Sequence, residues 1–273
     1  TRPGDEVLVG EGAHCAWYES GAAAALWGVQ AVVIGTGGLF RAQDLRAGTK
    51  PRADWYPNTA MVAVENTHNR GGGLVWTVEQ LAEVVEEARS CGLATHLDGA
   101  RIWNAAHALE TSEKRLANGF DTVTVCFSKG LGAPVGSALC GSKKQVIKAR
   151  RIRKRLGGGM RQVGILAAAA LVALRSQRNR LGVDHANARA IAETVAKVEG
   201  AEVDQTKVQT NIVMVDTPAI AAESVVVAAR KRGVLVAPFG PNRVRVVTHM
   251  DVSQTARRGG ALLAEAIKSL ETR

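Results

Sequence analysis

The residues best able to do chemistry surround a lysine that follows an apolar segment. Thr122–Cys126 is apolar and β-branched, which predicts a buried strand, and Lys129 follows it in a turn rich in glycine and proline. A second apolar segment, residues 135–140, predicts another strand beyond the turn. Two flanking strands would partly desolvate the amine, which disfavours the ammonium form and makes the nitrogen nucleophilic. Lys129 is therefore a Schiff-base candidate; the alternative is a surface lysine in a glycine turn.

Asp98 stands at the end of a second predicted strand, residues 93–98. In an open α/β sheet, ligands bind at the carboxyl ends of the strands. A carboxylate at that edge can keep a pyridine nitrogen protonated, and a lysine Schiff base with an acidic partner for the pyridinium is the signature of pyridoxal phosphate (PLP). The sequence between Asp98 and Lys129 is long enough for one helix-and-strand crossover, so both can lie at the same edge of a parallel sheet.

Four motifs resemble those of the L-threonine aldolases, a family of the fold type I PLP-dependent superfamily. They are residues 96–105 (HLDGARIWNA), 128–137 (SKGLGAPVGS), 153–162 (RKRLGGGMRQ) and 244–249 (VRVVTH). The resemblance implies an α/β fold with a mostly parallel sheet in a large PLP-binding domain and a smaller C-terminal α/β domain. Members usually carry a further N-terminal segment with a Gly-Thr loop for the cofactor phosphate, and this chain opens at Thr1 without it.

The same resemblance implies which residues hold the cofactor. Lys129 would carry PLP, Asp98 would keep its pyridine nitrogen protonated, and His14 would stack on its ring. Lys154 and Arg161 would lie near the cofactor phosphate or near the active site of a neighbouring subunit. For His14, which follows the first predicted strand, the alternative is a histidine that caps or packs the next helix.

Three further residues would contact an amino-acid substrate. His68 lies in a loop whose glycines allow close approach to a ligand, and the family's Glu-Asn-Thr-His-Asn motif implies contact with the substrate's β-hydroxyl. Arg243 and Arg245 share one face of a predicted strand, and the resemblance favours Arg245 as the partner of the α-carboxylate. Arg101 would assist Arg245 or bond the phenolic oxygen of PLP. For His68, the alternative is a turn histidine bonded to its own loop. For the two arginines of the strand, the alternative is a solvated strand face, which describes Arg243 better than Arg245.

The basic composition raises the question of a nucleic-acid partner. The formal net charge is +10, and much of the excess lies in residues 143–161. The chain has few aromatic residues and no recognisable nucleic-acid-binding motif, so a solvated helix face or a site for small anions explains the charge better. Residues 136–143 resemble a P-loop, but serine and lysine are in the wrong order for a Walker A motif, which argues against a nucleotide site.

The remaining composition is that of a soluble globular protein. Hydrophobic residues make up 46% and charged residues 22% of 273 positions, which is ordinary for one or two domains. The longest apolar run, residues 165–174, is too short for a transmembrane helix. Four cysteines without Cys-x-x-Cys spacing, including Cys126 and Cys140 in apolar strands, predict buried reduced thiols and a cytoplasmic protein. We assign no metal site.

The predicted strands and helices alternate along the chain. This alternation predicts right-handed crossovers and a mostly parallel sheet, which would position these residues. Residues 18–27 are expected to form a helix, and a capping box at Thr77 and Gln80 opens another. The expected organisation is a large PLP-binding domain over residues 1–159, a connecting helix over 160–181 and a small domain over 182–273.

The motifs and the resemblance together predict a PLP-dependent aldolase. It would cleave β-hydroxy-α-amino acids such as L-threonine and L-allo-threonine to glycine and an aldehyde, and His68, His14 or a bound water would take the hydroxyl proton. The resemblance also implies a homo-oligomer, either a dimer or a homotetramer built from two dimers, with shared active sites. The alternatives are another fold type I PLP enzyme, either an aminotransferase or a β-eliminating lyase, and a non-catalytic fragment of an aldolase.

Overall fold

The structure is a computed structural model that describes residues 1–271. Backbone contacts divide the chain into two units. The first contains Thr1–Gly71 and Val75–Arg178, and the second contains Gly72–Leu74 and the chain from Asn179 onward. Among the described residues, none of the helices combines the length and the apolar character needed to cross a membrane.

A sheet of six strands forms the framework of the first unit, as far as the structure describes it, in the order β2-β1-β3-β4-β5-β6. The strands are β1 (Glu6–Gly10), β2 (Gln30–Ile34), β3 (Thr59–Glu65), β4 (Ala94–Gly99), β5 (Thr122–Cys126) and β6 (Ser137–Gly141). Strands β1 to β5 run parallel, and β6 pairs antiparallel with β5. Leu8, Val62 and Leu97 are fully buried on three of these strands. The predicted mostly parallel sheet is therefore confirmed.

Helices cover this sheet and connect its strands. They are α1 (His14–Trp17), α2 (Ala22–Trp27), α3 (Ala42–Gly48), α4 (Val78–Ser90), α5 (Ile102–Ala108), α6 (Glu113–Leu116), α7 (Lys143–Arg155) and α8 (Gly164–Ser176). The predicted capping box opens α4: the backbone N–H of Gln80 donates to Thr77 Oγ1 (3.2 Å), and that of Thr77 donates to Gln80 Oε1 (2.9 Å).

The second unit packs helices on a small antiparallel sheet. Its elements are α9 (Leu181–Val195), β7 (Ile212–Asp216), α10 (Ala222–Lys231), β8 (Ala237–Pro238), β9 (Arg243–Val247) and α11 (Ala256–Glu271). The described strands lie in the order β7-β9-β8. Val213, Val215 and Val244 lie in one apolar cluster with Ile191 and Leu263 of the helices, because alternate residues of each strand face the same side.

Two predicted helices have different bounds. The helix expected over residues 18–27 is shorter in the structure: only α2, Ala22–Trp27, is helical in this range, because Ser20 and Gly21 before it have left-handed φ angles of 51° and 70°. The helix expected over residues 160–181 is α8, Gly164–Ser176, and a 3₁₀ turn at Arg178–Arg180 precedes α9.

The prediction of a strand over residues 135–140 and of buried thiols is wrong in detail. The strand β6 begins only at Ser137, after Gly136 with a φ of 122°. It is the last strand of the sheet and is mostly exposed, so Cys140 is exposed and Cys126 is only half-buried. An edge strand without a covering layer cannot bury alternate side chains as a central strand does.

The histidine on β4 should make stability depend on pH. Burial lowers the pKa of His96 below its ordinary value of 6.5, and the charge of Asp98 offsets this only in part. The unfolded chain therefore binds this proton more tightly, so the free energy of unfolding should fall as the pH drops from about 6.5 toward the folded-state pKa.

Chemical unfolding of the wild type, His96→Asn and His107→Asn between about pH 5 and pH 8 measures the effect. His96→Asn should reduce the decrease in the free energy of unfolding at acid pH. His107→Asn, which changes an exposed histidine, should leave that decrease unchanged. Equal pH dependence in the wild type and in His96→Asn would contradict this account.

Candidate active site

The topology of the first unit brings the predicted site residues to one edge of the sheet. Five parallel strands end at this edge, and each delivers a different group. His14 follows β1, the Gly35–Gly38 turn follows β2, His68 follows β3, Asp98 and Arg101 come at the end of β4, and Lys129 follows β5. In a parallel sheet this is the edge at which ligands bind.

Asp98 occupies a central place at this edge. It lies opposite Glu65 of β3 and Thr124 of β5 in the sheet. Its side chain is half-buried, and the backbone N–H of Ala100 donates to its Oδ1 (3.0 Å). This bond orients the carboxylate through Oδ1, and among residues 1–271 no hydrogen bond to Oδ2 is seen, so Oδ2 can accept one from a ligand.

Lys129 lies in a turn that its own backbone closes. Phe127 donates to the carbonyl of Gly136 (2.9 Å), Ala133 donates to that of Phe127 (3.0 Å), and Gly132 donates to that of Lys129 (2.9 Å). The side chain of Leu131 is fully buried and anchors the turn. Lys129 itself is exposed, so the described residues do not provide the desolvation expected from two flanking strands, because β6 is an open edge.

Trp103 links the Asp98 strand to the Lys129 turn, a role that sequence reasoning missed. Its Nε1 donates to the carbonyl of Cys126 (3.1 Å), and its ring stacks on Phe127 with centroids 6.4 Å apart. Trp103 is in the same motif as Asp98, but its contact with β5 depends on pairing between distant segments.

His14 is held at the start of α1 by a carboxylate on another strand. Its backbone N–H donates to Oε2 of Glu65 (2.7 Å), and its Nδ1 lies 3.1 Å from Oε1 of Glu19. The ring of Tyr18 is 4.9 Å away. The carboxylate of Glu19 can therefore accept a hydrogen bond from Nδ1–H of the His14 ring.

His68 is almost completely buried, with 1% of its surface exposed. Its Nδ1 accepts the backbone N–H of Gly71 (3.0 Å), and its Nε2 lies 3.8 Å from Oε2 of Glu65. Burial lowers the pKa of His68, and the charge of Glu65 offsets this in part. The imidazole is therefore neutral near neutral pH.

The thiol of Cys15 also responds to the negative charge at this edge. Cys15 is exposed as a residue, but protein atoms surround its thiol. This desolvation, together with the charges of Asp98 and Glu65, raises the pKa of Cys15 to about 11. The Cys15 thiol therefore stays protonated near neutral pH.

The other predicted residues lie at the start of α5, on or after α7, and on β9 of the second unit. Arg101 is half-buried at the start of α5, and Lys154 and Arg161 are exposed on and after α7. In the second unit, Arg245 is half-buried with its guanidinium 4.8 Å from the centroid of the Phe239 ring. Arg243, on the same strand face, is exposed and pairs with Asp216 through Nε (2.6 Å) and Nη2 (2.8 Å).

The Gly35–Gly38 turn provides a test of the packing around His68. Gly38 has a φ of 102°, and a Cβ there would lie 2.3 Å from Nδ1 of His68. Gly38→Ala should therefore displace the imidazole and lower the free energy of unfolding by about 1–3 kcal/mol, the usual cost of overpacking, in addition to the backbone strain.

Gly37→Ala is the matched control, because Gly37 also has a positive φ (71°) but a Cβ there meets no described atom within 4 Å. Urea unfolding gives the free energies, and the NMR signals of the His68 ring report its displacement. Equal destabilisation by the two substitutions, with the ring signals unchanged, would contradict the proposed packing.

Comparisons with known proteins agree with this geometry. The family model described as beta-eliminating lyase matches residues 1–218. The low specificity L-threonine aldolase of Escherichia coli (strain K12) is 39% identical over 253 residues, which cover 92% of this chain and 74% of that protein. The low-specificity L-threonine aldolase 1 of Arabidopsis thaliana is 37% identical over 257 residues, covering 92% of this chain and 72% of that protein.

A solved structure shares the fold. The threonine aldolase of Leishmania major superposes with a TM-score of 0.80 over 99% of this chain and 78% of that chain, at 20% sequence identity. This likeness confirms the expected fold type I architecture. By its match to the family model and its identity to these relatives, the chain belongs to the beta-eliminating lyase family.

Proposed function

We propose that this protein is a PLP-dependent aldolase that cleaves L-threonine and L-allo-threonine to glycine and acetaldehyde. The observation that carries the proposal is the delivery of Asp98 and Lys129 by the neighbouring parallel strands β4 and β5 to one edge of the sheet. The names of the relatives from E. coli and Arabidopsis, which match 92% of this chain, support the same activity.

The residues present fit PLP. Lys129 is exposed in a turn closed by backbone hydrogen bonds, and the Asp98 carboxylate, held through Oδ1, suits a protonated ring nitrogen. Lys129 would hold the cofactor, Asp98 would bind its ring nitrogen, and His14 would lie against its ring. When bound, PLP accepts the electrons of the broken Cα–Cβ bond.

The chain's own residues would orient the substrate. A guanidinium binds a carboxylate through two parallel hydrogen bonds, so Arg245 suits the α-carboxylate, and Arg101 suits the same group or the cofactor's phenolic oxygen. Arg243 pairs with Asp216 through two hydrogen bonds, which argues against Arg243 as the partner of the α-carboxylate. Loss of the β-hydroxyl proton then releases the aldehyde, with His14, His68 or a bound water as the base.

We also propose a homotetramer in the cytoplasm. Helix α8 leaves large apolar side chains uncovered: Ile165 is 77%, Val172 is 65% and Leu171 is 47% exposed. A monomer rarely exposes such a patch, and a second copy of the chain would cover it. Lys154 and Arg161 would then reach the cofactor phosphate or a neighbouring site. The free cysteines of the described chain suit a reducing compartment.

Replacement of Lys129 tests the proposed function. Lys129→Ala should reduce acetaldehyde release from L-threonine in the presence of PLP by at least about 10³-fold, because the covalent attachment of the cofactor is lost. Lys231→Ala, which removes an exposed lysine on α10, should keep the wild-type rate. Full activity of the Lys129→Ala variant would contradict the proposed function.

Product analysis separates the alternatives. An aldolase releases glycine and an aldehyde, whereas an aminotransferase converts PLP to pyridoxamine phosphate in its first half-reaction. If the chain folds but binds no PLP and forms neither set of products, the non-catalytic fragment is favoured.

A further inference from the structure

The second unit contains a cleft that the candidate active site does not use. Its volume is about 570 Å³, and the described residues that line it all lie between Ile191 and Leu263, within the second unit. None of the residues assigned to the active site above lines it. A cleft of this size can hold a small molecule.

The cleft opens where the chain before β8 leaves β9. The two strands pair only at Ala237 and Pro238 of β8. Residues 233–236, just before β8, and residues 246–249, at the end of β9 and beyond it, both line the cleft. Because the ladder does not continue between these segments, space remains beside α11.

The walls of the cleft are largely apolar. Leu263 of α11, which is 1% exposed, lines it. Four half-buried valines pack against the buried apolar cluster of this unit and also line the cleft: Val234, Val236, Val246 and Val252. A ligand with an apolar body would remove their exposed surface from water, which favours binding.

Gly259 keeps the cleft open on the side of α11. A Cβ at Gly259 would meet no described atom within 4 Å, whereas one at the neighbouring Gly260 would lie 3.0 Å from Cγ1 of Ile191. Glycine is unfavourable inside a helix compared with residues that carry a side chain. The missing side chain at Gly259 leaves room that a ligand can fill.

The charged groups of the cleft are cationic. Arg232 and Arg258 line it, and none of the described lining residues is an aspartate or a glutamate. Nη1 of Arg232 donates to the carbonyl of Ala228 (3.2 Å), which leaves other N–H groups of this guanidinium for a ligand. His249 also lines the cleft, and its Nδ1 lies 3.5 Å from Oδ2 of Asp251. The cleft therefore combines apolar walls with groups that attract an anion.

We propose that this cleft binds an apolar monocarboxylate, of which medium-chain saturated acids such as octanoate are the simplest. The hydrocarbon chain would lie against the valines, and Arg232 and Arg258 would bind the carboxylate. A guanidinium can bind a carboxylate through two parallel hydrogen bonds. Binding at this site does not depend on the proposed aldolase function.

Titration of the full chain with octanoate tests the proposal, and octan-1-ol is the matched neutral probe. The methyl NMR signals of Val234, Val236 and Val246 should shift with octanoate, with a Kd of about 1 mM or lower. Octan-1-ol should bind at least about tenfold more weakly, because the charge-assisted hydrogen bonds are absent. Equal affinity for the two probes, or shifts confined to other methyl groups, would overturn the proposal.

Arg258→Gln tests the recognition of the carboxylate. It should weaken octanoate binding about fivefold or more and leave octan-1-ol binding unchanged. Arg257→Gln is the matched control, because Arg257 is the exposed neighbour on α11 and does not line the cleft. An equal effect of both substitutions would show only a general attraction of anions to this basic protein, and would contradict the assigned site.

Gly259→Leu tests whether the open space is the binding site. Leucine there should raise the Tm by about 2–4 °C, because it favours the helix more than glycine does, and it should abolish octanoate binding by filling the cleft. Ala261→Leu is the control, since Ala261 is exposed on the same helix and does not line the cleft. Octanoate binding that persists in Gly259→Leu, or a lower Tm, would contradict the proposal.

The concentration of the protein distinguishes a ligand site from a contact between subunits. The octanoate affinity should not depend on it. If the affinity weakens as the protein concentration rises, a second copy of the chain competes for the cleft, which would overturn the assignment to a small carboxylate.

Discussion

The parallel register of β3, β4 and β5 is the constraint on which the site depends. Glu65 lies opposite Asp98, and Asp98 lies opposite Thr124, so the ends of these strands are aligned. Because side chains alternate along a strand, a slip of one residue would turn Asp98 to the other face of the sheet. The buried apolar residues Val62 and Leu97 oppose such a slip, and in this way core packing holds the site together.

The sequence predicted those parts of the structure that depend on local patterns. The β5 strand, Thr122–Cys126, has the predicted bounds because a β-branched run ends in a glycine-rich turn. The capping box of α4 was predictable because both of its partners lie within four residues. The order of motifs along the chain predicted the fold type and the edge of the sheet on which the site residues lie.

Contacts between distant segments could not be predicted in this way. The Gly35–Gly38 turn is too short for a dinucleotide fingerprint, and only the structure shows that Gly38 gives room for the His68 ring. Glu65 is the first residue of the motif that contains His68, but its bond to His14 joins positions 51 residues apart. The exposure of Lys129 was also missed, since nothing in the sequence indicates that β6 is an edge strand.

The open edge beside Lys129 has a consequence for how the proposed enzyme would behave in solution. A nucleophilic lysine needs a setting that disfavours its charged form, and within the chain β6 leaves Lys129 in contact with water. If a second copy covers this edge, the reactivity of the amine becomes a property of the assembly. Specific activity would then decline on dilution below the dissociation constant of the subunits, in accordance with mass action.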